Sequence, residues 1–347
     1  MKRELIHGGD IYEGHRGYLD FSANINPLGM PERVKQAVTD ALSEAVHYPD
    51  PLCRELRGAL AEEYRLPTER FICGNGGADL IYRLVYALRP KRALLTAPTF
   101  AEYEEALKQT QTTCLFQKLS KDFQIPREIL EQMEPGVDVM FLCNPNNPTG
   151  LLIDPELLLK ILEKAETLQI HLVVDECFLD FTGQEERSLL PYIEQSSYLF
   201  ILKSFTKMYA MPGIRLGYGI SKDRVLLERM EAAGQCWGVS VLASKAGIAA
   251  LQEHEYKQKA IALVREERSY LKKELEALGM QVWDAQADYL FFRAPGMDTL
   301  YERLLTSNIL IRRCGNYRGL QSDYYRIAVK DHESNACLVR AMQDVVK

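Results

Sequence analysis

The sequence predicts an α/β protein with two domains, the first built on a mostly parallel sheet and the second, smaller one of the α+β class. Apolar runs of strand length alternate with helical patterns over most of the chain, an order typical of parallel sheets. A long helical pattern at 242–278 then leads to late pairs of strands. The length of 347 residues also fits about two domains. We place an N-terminal arm at 1–30, a large domain at 31–240 and a small domain at 241–347.

Composition and charge narrow the classes of partner. A net charge of −6 argues against binding to nucleic acid or to a membrane surface. No apolar run approaches the roughly 18 to 20 residues of a membrane span, and the first nine residues lack the hydrophobic core of a signal peptide. The eight cysteines are widely spaced without a CxxC pair, which favours reduced thiols in the cytoplasm over a metal site or a disulfide framework.

The N-terminal part is expected to form an irregular arm followed by two helices. Paired glycines after His7 are typical of irregular chain. Asn24 and Asn26 alternate with apolar residues, so an extended chain would direct both amides to one side, although they could equally satisfy the backbone of a turn. Helices are predicted at 31–46, where Pro31 fits the first turn, and at 52–64.

A glycine-rich turn at 74–79 follows a short strand at 71–73 and precedes a helix at 80–88. Bare backbone N–H groups and the positive end of a helix dipole together favour a phosphate. Because glycine-rich turns are common, this turn indicates a phosphate site only in combination with a second phosphate-binding segment elsewhere in the chain.

Two further strands lead into side chains suited to a flat heteroaromatic ring. A strand at 92–96 is followed by a helix in which Tyr103 could stack on such a ring or pack on a helix face. A strand at 137–143 ends in a rigid turn, rich in Pro and Gly, that carries Asn147. The amide of Asn147 can donate a hydrogen bond to a phenolate oxygen.

A helix at 155–168 is followed by an apolar strand that ends at Asp175. A carboxylate at the end of a buried strand needs a partner, and a pyridinium N–H would provide one. A helix cap or a structural salt bridge is the alternative.

The segment 204–215 combines two hydroxyls, an amine and a guanidinium after an apolar strand at 198–202. Ser204, Thr206 and Arg215 suit a dianion, and Lys207 lies among them. An amine held near a phosphate is typical of a pyridoxal phosphate site, in which the lysine bonds the cofactor aldehyde. A basic loop after a strand is the alternative.

Two arginines lie on neighbouring late strands. An arginine is costly to bury unpaired, so Arg312 and Arg326 indicate either structural carboxylates or a doubly anionic substrate. The late elements are predicted as a strand at 216–220, helices at 223–235 and 242–278, strands at 281–283 and 289–293, a helix at 299–306, strands at 309–314 and 324–329, and a helix at 335–346.

These segments together resemble the fold-type I pyridoxal-phosphate enzymes, the aspartate aminotransferase superfamily, over nearly the whole chain. The resemblance implies a large domain with a mostly parallel seven-stranded sheet and a smaller α+β C-terminal domain. Within the superfamily, the segments 7–9, 20–29 and 309–317 make the chain similar to histidinol-phosphate aminotransferases and more similar to the L-threonine-O-3-phosphate decarboxylases of cobalamin biosynthesis.

The resemblance implies a role for each site residue. Lys207 would bond the aldehyde of pyridoxal 5'-phosphate, Asp175 would pair with its pyridine nitrogen, Asn147 would contact its ring oxygen, and Tyr103 would stack on its ring. The cofactor phosphate would be held by Gly76, Gly77, Ala78, Ser204, Thr206 and Arg215. The substrate would be bound by His7, Asn24 and Arg312 at its phosphate and by Arg326 at its carboxylate, with Tyr48 reaching into the neighbouring site of a homodimer.

The implied activity is the decarboxylation of L-threonine O-3-phosphate, and two departures from the family bear on it. Phe178 stands where aminotransferase relatives commonly carry a tyrosine, and a phenyl ring cannot donate to the ring oxygen. The turn 316–318 reads Asn-Tyr-Arg without the usual proline, which leaves the substrate range open. The alternatives are a histidinol-phosphate-type aminotransferase, a decarboxylase of L-serine O-phosphate, and a non-catalytic cofactor-binding protein.

Overall fold

Three sheets organise the chain in a computed structural model, which describes residues 7–12 and 14–346. The strands are β1 Leu19–Asp20, β2 Phe71–Gly74, β3 Arg92–Ala97, β4 Thr113–Lys118, β5 Val139–Cys143, β6 His171–Asp175, β7 Leu199–Ser204, β8 Gly217–Ser221, β9 Gln281–Val282, β10 Tyr289–Arg293, β11 Ile309–Leu310, β12 Arg312–Arg313 and β13 Tyr324–Ala328. The helices are α1 Glu32–Ala41, α2 Arg54–Tyr64, α3 Gly77–Leu88, α4 Glu102–Lys108, α5 Ile129–Gln132, α6 Pro155–Leu168, α7 Phe205–Met208, α8 Arg224–Ala233, α9 Val241–Leu251, α10 His254–Ala277, α11 Leu300–Leu305 and α12 His332–Val346.

The largest sheet has seven strands in the order β2-β8-β7-β6-β5-β3-β4. Only β8 runs antiparallel to its neighbours, β2 and β7, so the prediction of a mostly parallel seven-stranded sheet is confirmed. Cys143 pairs with Asp175, and Asp175 with Leu202, so β5, β6 and β7 end at a common edge. Parallel α/β sheets bind ligands at this edge.

Both faces of this sheet are buried, which explains why its strands are nearly continuous apolar runs. Along β6, Leu172 and Val174 pack into one core cluster, whereas Val173 packs into the cluster on the opposite face. Helices α3 and α8 contribute to the second cluster, and α6, α9 and α10 contribute to the first. The sheet is therefore a central layer between two layers of helices, which holds its strand ends rigidly.

The C-terminal part forms a four-stranded antiparallel sheet in the order β12-β13-β10-β9. Arg312 and Arg326 are register partners on β12 and β13, as the predicted strand pairing requires. The segment predicted as one strand at 309–314 is divided, because β11 pairs in parallel with β1 of the N-terminal arm while β12 joins the small sheet. The domain boundaries at residues 30 and 240 stay predictions.

The single helix predicted at 242–278 is wrong. The structure has two helices, α9 and α10, separated at Gln252 and Glu253. Glu253 has a ψ of 51°, outside the helical range, and its carboxylate pairs with Arg33 at 3.1 Å. Helix α9 packs on α1 and α2, whereas α10 continues to the small sheet, so their different partners impose the break. Within the described ranges, none of the helices combines the length and the hydrophobicity needed to cross a bilayer.

Candidate active site

A cavity of about 810 Å³ opens at the ends of β5, β6 and β7. Twelve of the fifteen predicted site residues line it: His7, Asn24, Gly77, Ala78, Asn147, Asp175, Ser204, Thr206, Lys207, Arg215, Arg312 and Arg326. The other three, Gly76, Tyr103 and Tyr48, do not line it. Residues far apart in the sequence thus meet in one space, which is what the strand-end argument predicts.

Lys207 lies part-buried in the wall of the cavity, on the short helix α7 that follows β7. Burial lowers the pKa of its amine, and the nearby cations Arg326 and Arg215 act in the same direction, whereas Cys177 and Asp288 oppose them. Its Nζ is 5.8 Å from the centre of the Phe178 ring. A lysine with a lowered pKa has more free amine at neutral pH, which suits a nucleophile that attacks an aldehyde.

The phosphate end of the cavity is formed by two segments. Helix α3 begins at Gly77, after Gly76 with a φ of 87°, and a Cβ added at Gly76 would lie 2.6 Å from Nη2 of Arg215. The hydroxyls of Ser204 and Thr206 lie 2.7 Å apart at the start of α7. Backbone N–H groups, two hydroxyls and a guanidinium therefore converge, a donor set that suits a phosphate dianion.

Asn147 is held in one orientation by the small sheet. Its amide oxygen accepts hydrogen bonds from Nη1 of Arg326 at 2.6 Å and from the hydroxyl of Tyr317 at 3.2 Å. With the oxygen engaged, the amide nitrogen is the group of Asn147 that can donate into the cavity.

Asp175 accepts two hydrogen bonds, and one of them corrects a predicted role. The backbone N–H of Cys177 donates to Oδ1 at 3.0 Å, and the hydroxyl of Tyr103 donates to Oδ2 at 2.7 Å. Tyr103 has no exposed surface and stacks on Phe141, with 5.0 Å between ring centres. It lies behind the carboxylate and cannot stack on a ring in the cavity; Phe100, three residues earlier, lines the cavity instead.

The reason for this correction lies at the start of α4. The helix begins at Glu102, which turns Tyr103 toward the sheet, while Phe100 still belongs to the loop at the end of β3. The two rings meet edge to face, with centres 5.5 Å apart. Phe100 and Tyr103 both follow β3. Phe100 faces the cavity and Tyr103 faces the core because helix α4 begins between them.

The opposite end of the cavity carries the two arginines. Nη2 of Arg326 donates to the carbonyl oxygen of Ser22 at 3.0 Å, while its Nε has no hydrogen-bond partner among the described residues. Nη2 of Arg312 donates to the side-chain oxygen of Asn316 at 2.9 Å. The buried amide oxygen of Asn24 also lacks a partner within the described part of the chain. Both guanidiniums line the cavity, so this end carries positive charge that suits an anionic ligand.

The remaining predicted residues occupy the rim and the surface. Nε2 of His7 lies 2.6 Å from Oε1 of Glu102, so the N-terminal arm contacts the start of α4, and both residues line the cavity. Tyr48 is 79% exposed and stacks on Trp237, with ring centres 4.6 Å apart. It lies outside this cavity.

Asp288 is an ionisable neighbour of Lys207 that sequence reasoning missed. Its side chain is fully buried, and neither carboxylate oxygen has a hydrogen-bond partner in the described part of the chain. Burial raises its pKa from 3.8 to about 7, against the opposing effect of Lys207, Arg326 and Arg268. The only signal in the sequence is an acidic residue directly before the apolar strand β10.

The donors and acceptors in the cavity fit the predicted cofactor, pyridoxal 5'-phosphate. The close approach of Arg215 to Gly76 leaves no room for a side chain beside the phosphate-binding segments. A carboxylate, an amide nitrogen and an amine are available for the pyridine nitrogen, the ring oxygen and the aldehyde. The guanidiniums of Arg312 and Arg326, which line the same cavity, supply positive charge for a second, anionic ligand.

Comparison of the chain with known proteins identifies a family and similar enzymes. The family model "Aminotransferase class I and II" matches residues 16–342. Threonine-phosphate decarboxylase from Salmonella typhimurium is 39% identical, covering 98% of this chain and 96% of that protein.

Two solved structures of related enzymes are similar to this chain in fold. The histidinol-phosphate aminotransferase of Clostridium acetobutylicum superposes with a TM-score of 0.90 at 31% identity, covering 94% of this chain and 98% of that one. The L-threonine-O-3-phosphate decarboxylase of Porphyromonas gingivalis has a TM-score of 0.84 at 25% identity, covering 94% and 99%.

Proposed function

Because the chain belongs to the aminotransferase class I and II family, we propose that it is a pyridoxal-phosphate-dependent decarboxylase. Its substrate is L-threonine O-3-phosphate and its products are (R)-1-amino-2-propanol O-phosphate and carbon dioxide, a step of cobalamin biosynthesis. The observation that carries the proposal is the arginine end of the cavity, where two guanidiniums face one ligand space beside Lys207. The 39% identity to a threonine-phosphate decarboxylase supports it.

Three residues hold the reactive part of the cofactor. Lys207 would bond its aldehyde, Asp175 would pair with its ring nitrogen, and the amide nitrogen of Asn147 would donate to its ring oxygen. Its phosphate would be bound by Gly76, Gly77, Ala78, Ser204, Thr206 and Arg215, and Phe100 would take the ring-stacking position. The bound cofactor supplies an electron sink for the bond that breaks at Cα.

The substrate is oriented by its two anionic groups. Arg326 binds the α-carboxylate, while His7, Asn24 and Arg312 bind the phosphate. Binding at both ends would fix the orientation of the bond between Cα and the carboxylate, and such positioning would select decarboxylation over competing reactions. Lys207 or a water would supply the proton that replaces the carboxylate at Cα.

A histidinol-phosphate-type aminotransferase is the second candidate, favoured by the structural similarity at 31% identity. Both candidates bind a phosphorylated substrate with an amino group. Phe178 is buried against Tyr289, with ring centres 5.1 Å apart, and has no hydroxyl for the ring oxygen. This favours the decarboxylase.

The deciding experiment incubates the holoenzyme and 2-oxoglutarate with threonine phosphate, serine phosphate or histidinol phosphate, and assays carbon dioxide together with the glutamate that transamination would form. We expect carbon dioxide from threonine phosphate, and no glutamate from any of the three substrates. Serine phosphate lacks one methyl group, which is worth about 1 kcal/mol or slightly more, so its slower turnover is compatible with the proposal. Glutamate formation with histidinol phosphate, without carbon dioxide from threonine phosphate, would establish the second candidate.

The proposal extends to assembly and location. We infer a cytoplasmic homodimer in which Tyr48 reaches the neighbouring site. An exposed apolar surface supports the dimer, since Val46 is 80% exposed and lies close in sequence to Tyr48, which stacks on Trp237. The arm at 1–30 and the domains at 31–240 and 241–347 are proposed as its structural units.

A further inference from the structure

We propose that Tyr103 is a positioning residue that fixes Asp175 for the ring nitrogen of the cofactor, an inference that rests on the proposed cofactor site. Its hydroxyl donates to Oδ2 of Asp175 at 2.7 Å. Tyr103 has no exposed surface and does not line the cavity. It therefore does not contact the cofactor itself, and its hydroxyl acts through the carboxylate.

The geometry around Asp175 explains what the hydroxyl adds. The backbone N–H of Cys177 holds Oδ1 at 3.0 Å, and Tyr103 holds Oδ2. Two donors from different directions fix the plane of the carboxylate, which a single donor would leave free to rotate. Each oxygen can still accept another hydrogen bond, so the ring nitrogen has a prearranged acceptor.

Packing holds the donor in place. The Tyr103 ring is stacked on Phe141 at an interplanar angle of 19° and meets Phe100 edge to face. Phe100 lines the cavity, so one aromatic pair connects the wall of the site to the support of the carboxylate. The hydroxyl cannot swing away without disturbing both contacts.

The protonation state of the Tyr103 hydroxyl is consistent with a group that always donates a hydrogen bond to Asp175. Burial, together with the neighbouring carboxylate of Asp175, raises the pKa of the Tyr103 hydroxyl well above 10. The other titratable groups around the pair are the thiols of Cys143 and Cys177, whose pKa values burial also raises, and the amine of Lys207. The proton of the tyrosine thus stays on oxygen, and the carboxylate is left to the cofactor.

The test compares Tyr103→Phe with Tyr325→Phe. Both substitutions remove one hydroxyl from a fully buried tyrosine, but Tyr325 donates to the carbonyl oxygen of Met297 at 2.8 Å, in the small sheet. We expect Tyr103→Phe to weaken the binding of pyridoxal 5'-phosphate about tenfold, as for the loss of a hydrogen bond to a charged group. Tyr325→Phe should leave it unchanged. Equal effects of the two substitutions would overturn the proposal, because they would reflect general loosening.

A spectroscopic readout separates positioning from packing. Without the hydroxyl, Asp175 takes more of the shared proton from the ring nitrogen, so the ring withdraws fewer electrons from the nitrogen of Lys207. The pH midpoint of the cofactor absorbance change should therefore rise in Tyr103→Phe. An unchanged midpoint together with unchanged affinity would contradict the inference.

A double-mutant cycle with Asp175→Asn tests the route of the effect. If Tyr103 acts through Asp175, removal of the tyrosine hydroxyl should weaken cofactor binding clearly less in the Asp175→Asn variant than in the unsubstituted protein. The same loss in both backgrounds would show that the hydroxyl acts elsewhere. These measurements need the cofactor and no substrate, so failure to decarboxylate threonine phosphate would reject the proposed reaction without deciding the role of Tyr103.

Discussion

Asp288 shows how a single buried carboxyl links stability to pH. Its pKa is raised to about 7 in the folded protein, so the folded state keeps a proton that the unfolded chain loses above about pH 4. Stability therefore falls as pH rises from about 4 to about 7 and is constant above that range, as far as this group is concerned. The difference corresponds to at most about 4 kcal/mol.

We expect Asp288→Asn to stabilise the cofactor-free protein, with a gain that grows from about pH 4 to pH 7 and reaches its maximum above. The neutral amide keeps the shape of the side chain but needs no proton. Urea unfolding across this pH range measures the effect, and Asp122→Asn, at an exposed position, is the control. A gain that is equal at all pH values would show that burial does not shift the titration of Asp288.

The site residues illustrate which roles a sequence can predict. Asn147 and Lys207 follow buried parallel strands, and Asp175 is the last residue of another. Such strands end at one edge of a sheet, so their meeting follows from local patterns. The roles of Phe100 and Tyr103 do not, because both are aromatic residues after one strand and only the first residue of α4 decides which ring faces the cavity. Asp288 was missed because nothing local distinguishes a buried carboxyl from one at a turn.

At the scale of elements, the turn between β2 and α3 depends on a glycine. Gly76 combines a φ of 87° with a ψ of 168°, a backbone region that is nearly restricted to glycine. A Cβ there would also lie 2.6 Å from Arg215, so the guanidinium would have to move away from the phosphate-binding segments.

Gly76→Ala should therefore weaken binding of pyridoxal 5'-phosphate by tenfold or more, since the backbone strain alone is worth about 1 to 3 kcal/mol. Equilibrium dialysis measures this loss. The matched control is Gly58→Ala inside α2, where an added Cβ meets nothing within 4 Å. It should leave affinity unchanged and stabilise the fold by about 0.5 to 1 kcal/mol. Equal affinity in both variants would mean that this turn does not bind the phosphate.

Element boundaries show where sequence patterns stop being informative. Helix α6 was predicted with its observed bounds, because Asp154 caps its start and Pro155 occupies the first turn. The break between α9 and α10 was missed, since the residues there are compatible with a helix and the interruption depends on an ion pair with Arg33. The edge strand β4 was missed because its apolar residues are only half-buried.

At the scale of the whole molecule, the exposed apolar surface predicts assembly. Leu42, Val46 and Tyr48 lie close together in sequence and are 58%, 80% and 79% exposed. Contiguous apolar surface on a folded chain often marks a contact with another chain, which supports the proposed dimer. The proposed dimer would bury it and bring Tyr48 to the second site.

We expect Val46→Glu to weaken the dimer at least tenfold, because a charge would be buried in an apolar contact. Sedimentation over a range of protein concentrations measures the change. Val225→Glu, at a position on α8 that is 64% exposed, is the control and should leave assembly intact. A monomer in the unsubstituted protein, or a dimer indifferent to Val46→Glu, would rule out this surface as the interface.

The hydrogen bond between Ser22 and Arg326 joins residues 304 positions apart. During translation, the ribosome releases the strands of the large sheet well before the arginine that completes the wall of the pocket. A nascent chain can thus form the framework that carries Lys207, yet its pocket lacks one wall until Arg326, on the last strand, has emerged. Because the residues proposed to hold the vitamin all precede residue 216, substrate discrimination rather than vitamin capture becomes the late event in the biogenesis of this protein, and chains truncated before Arg326 should lack it.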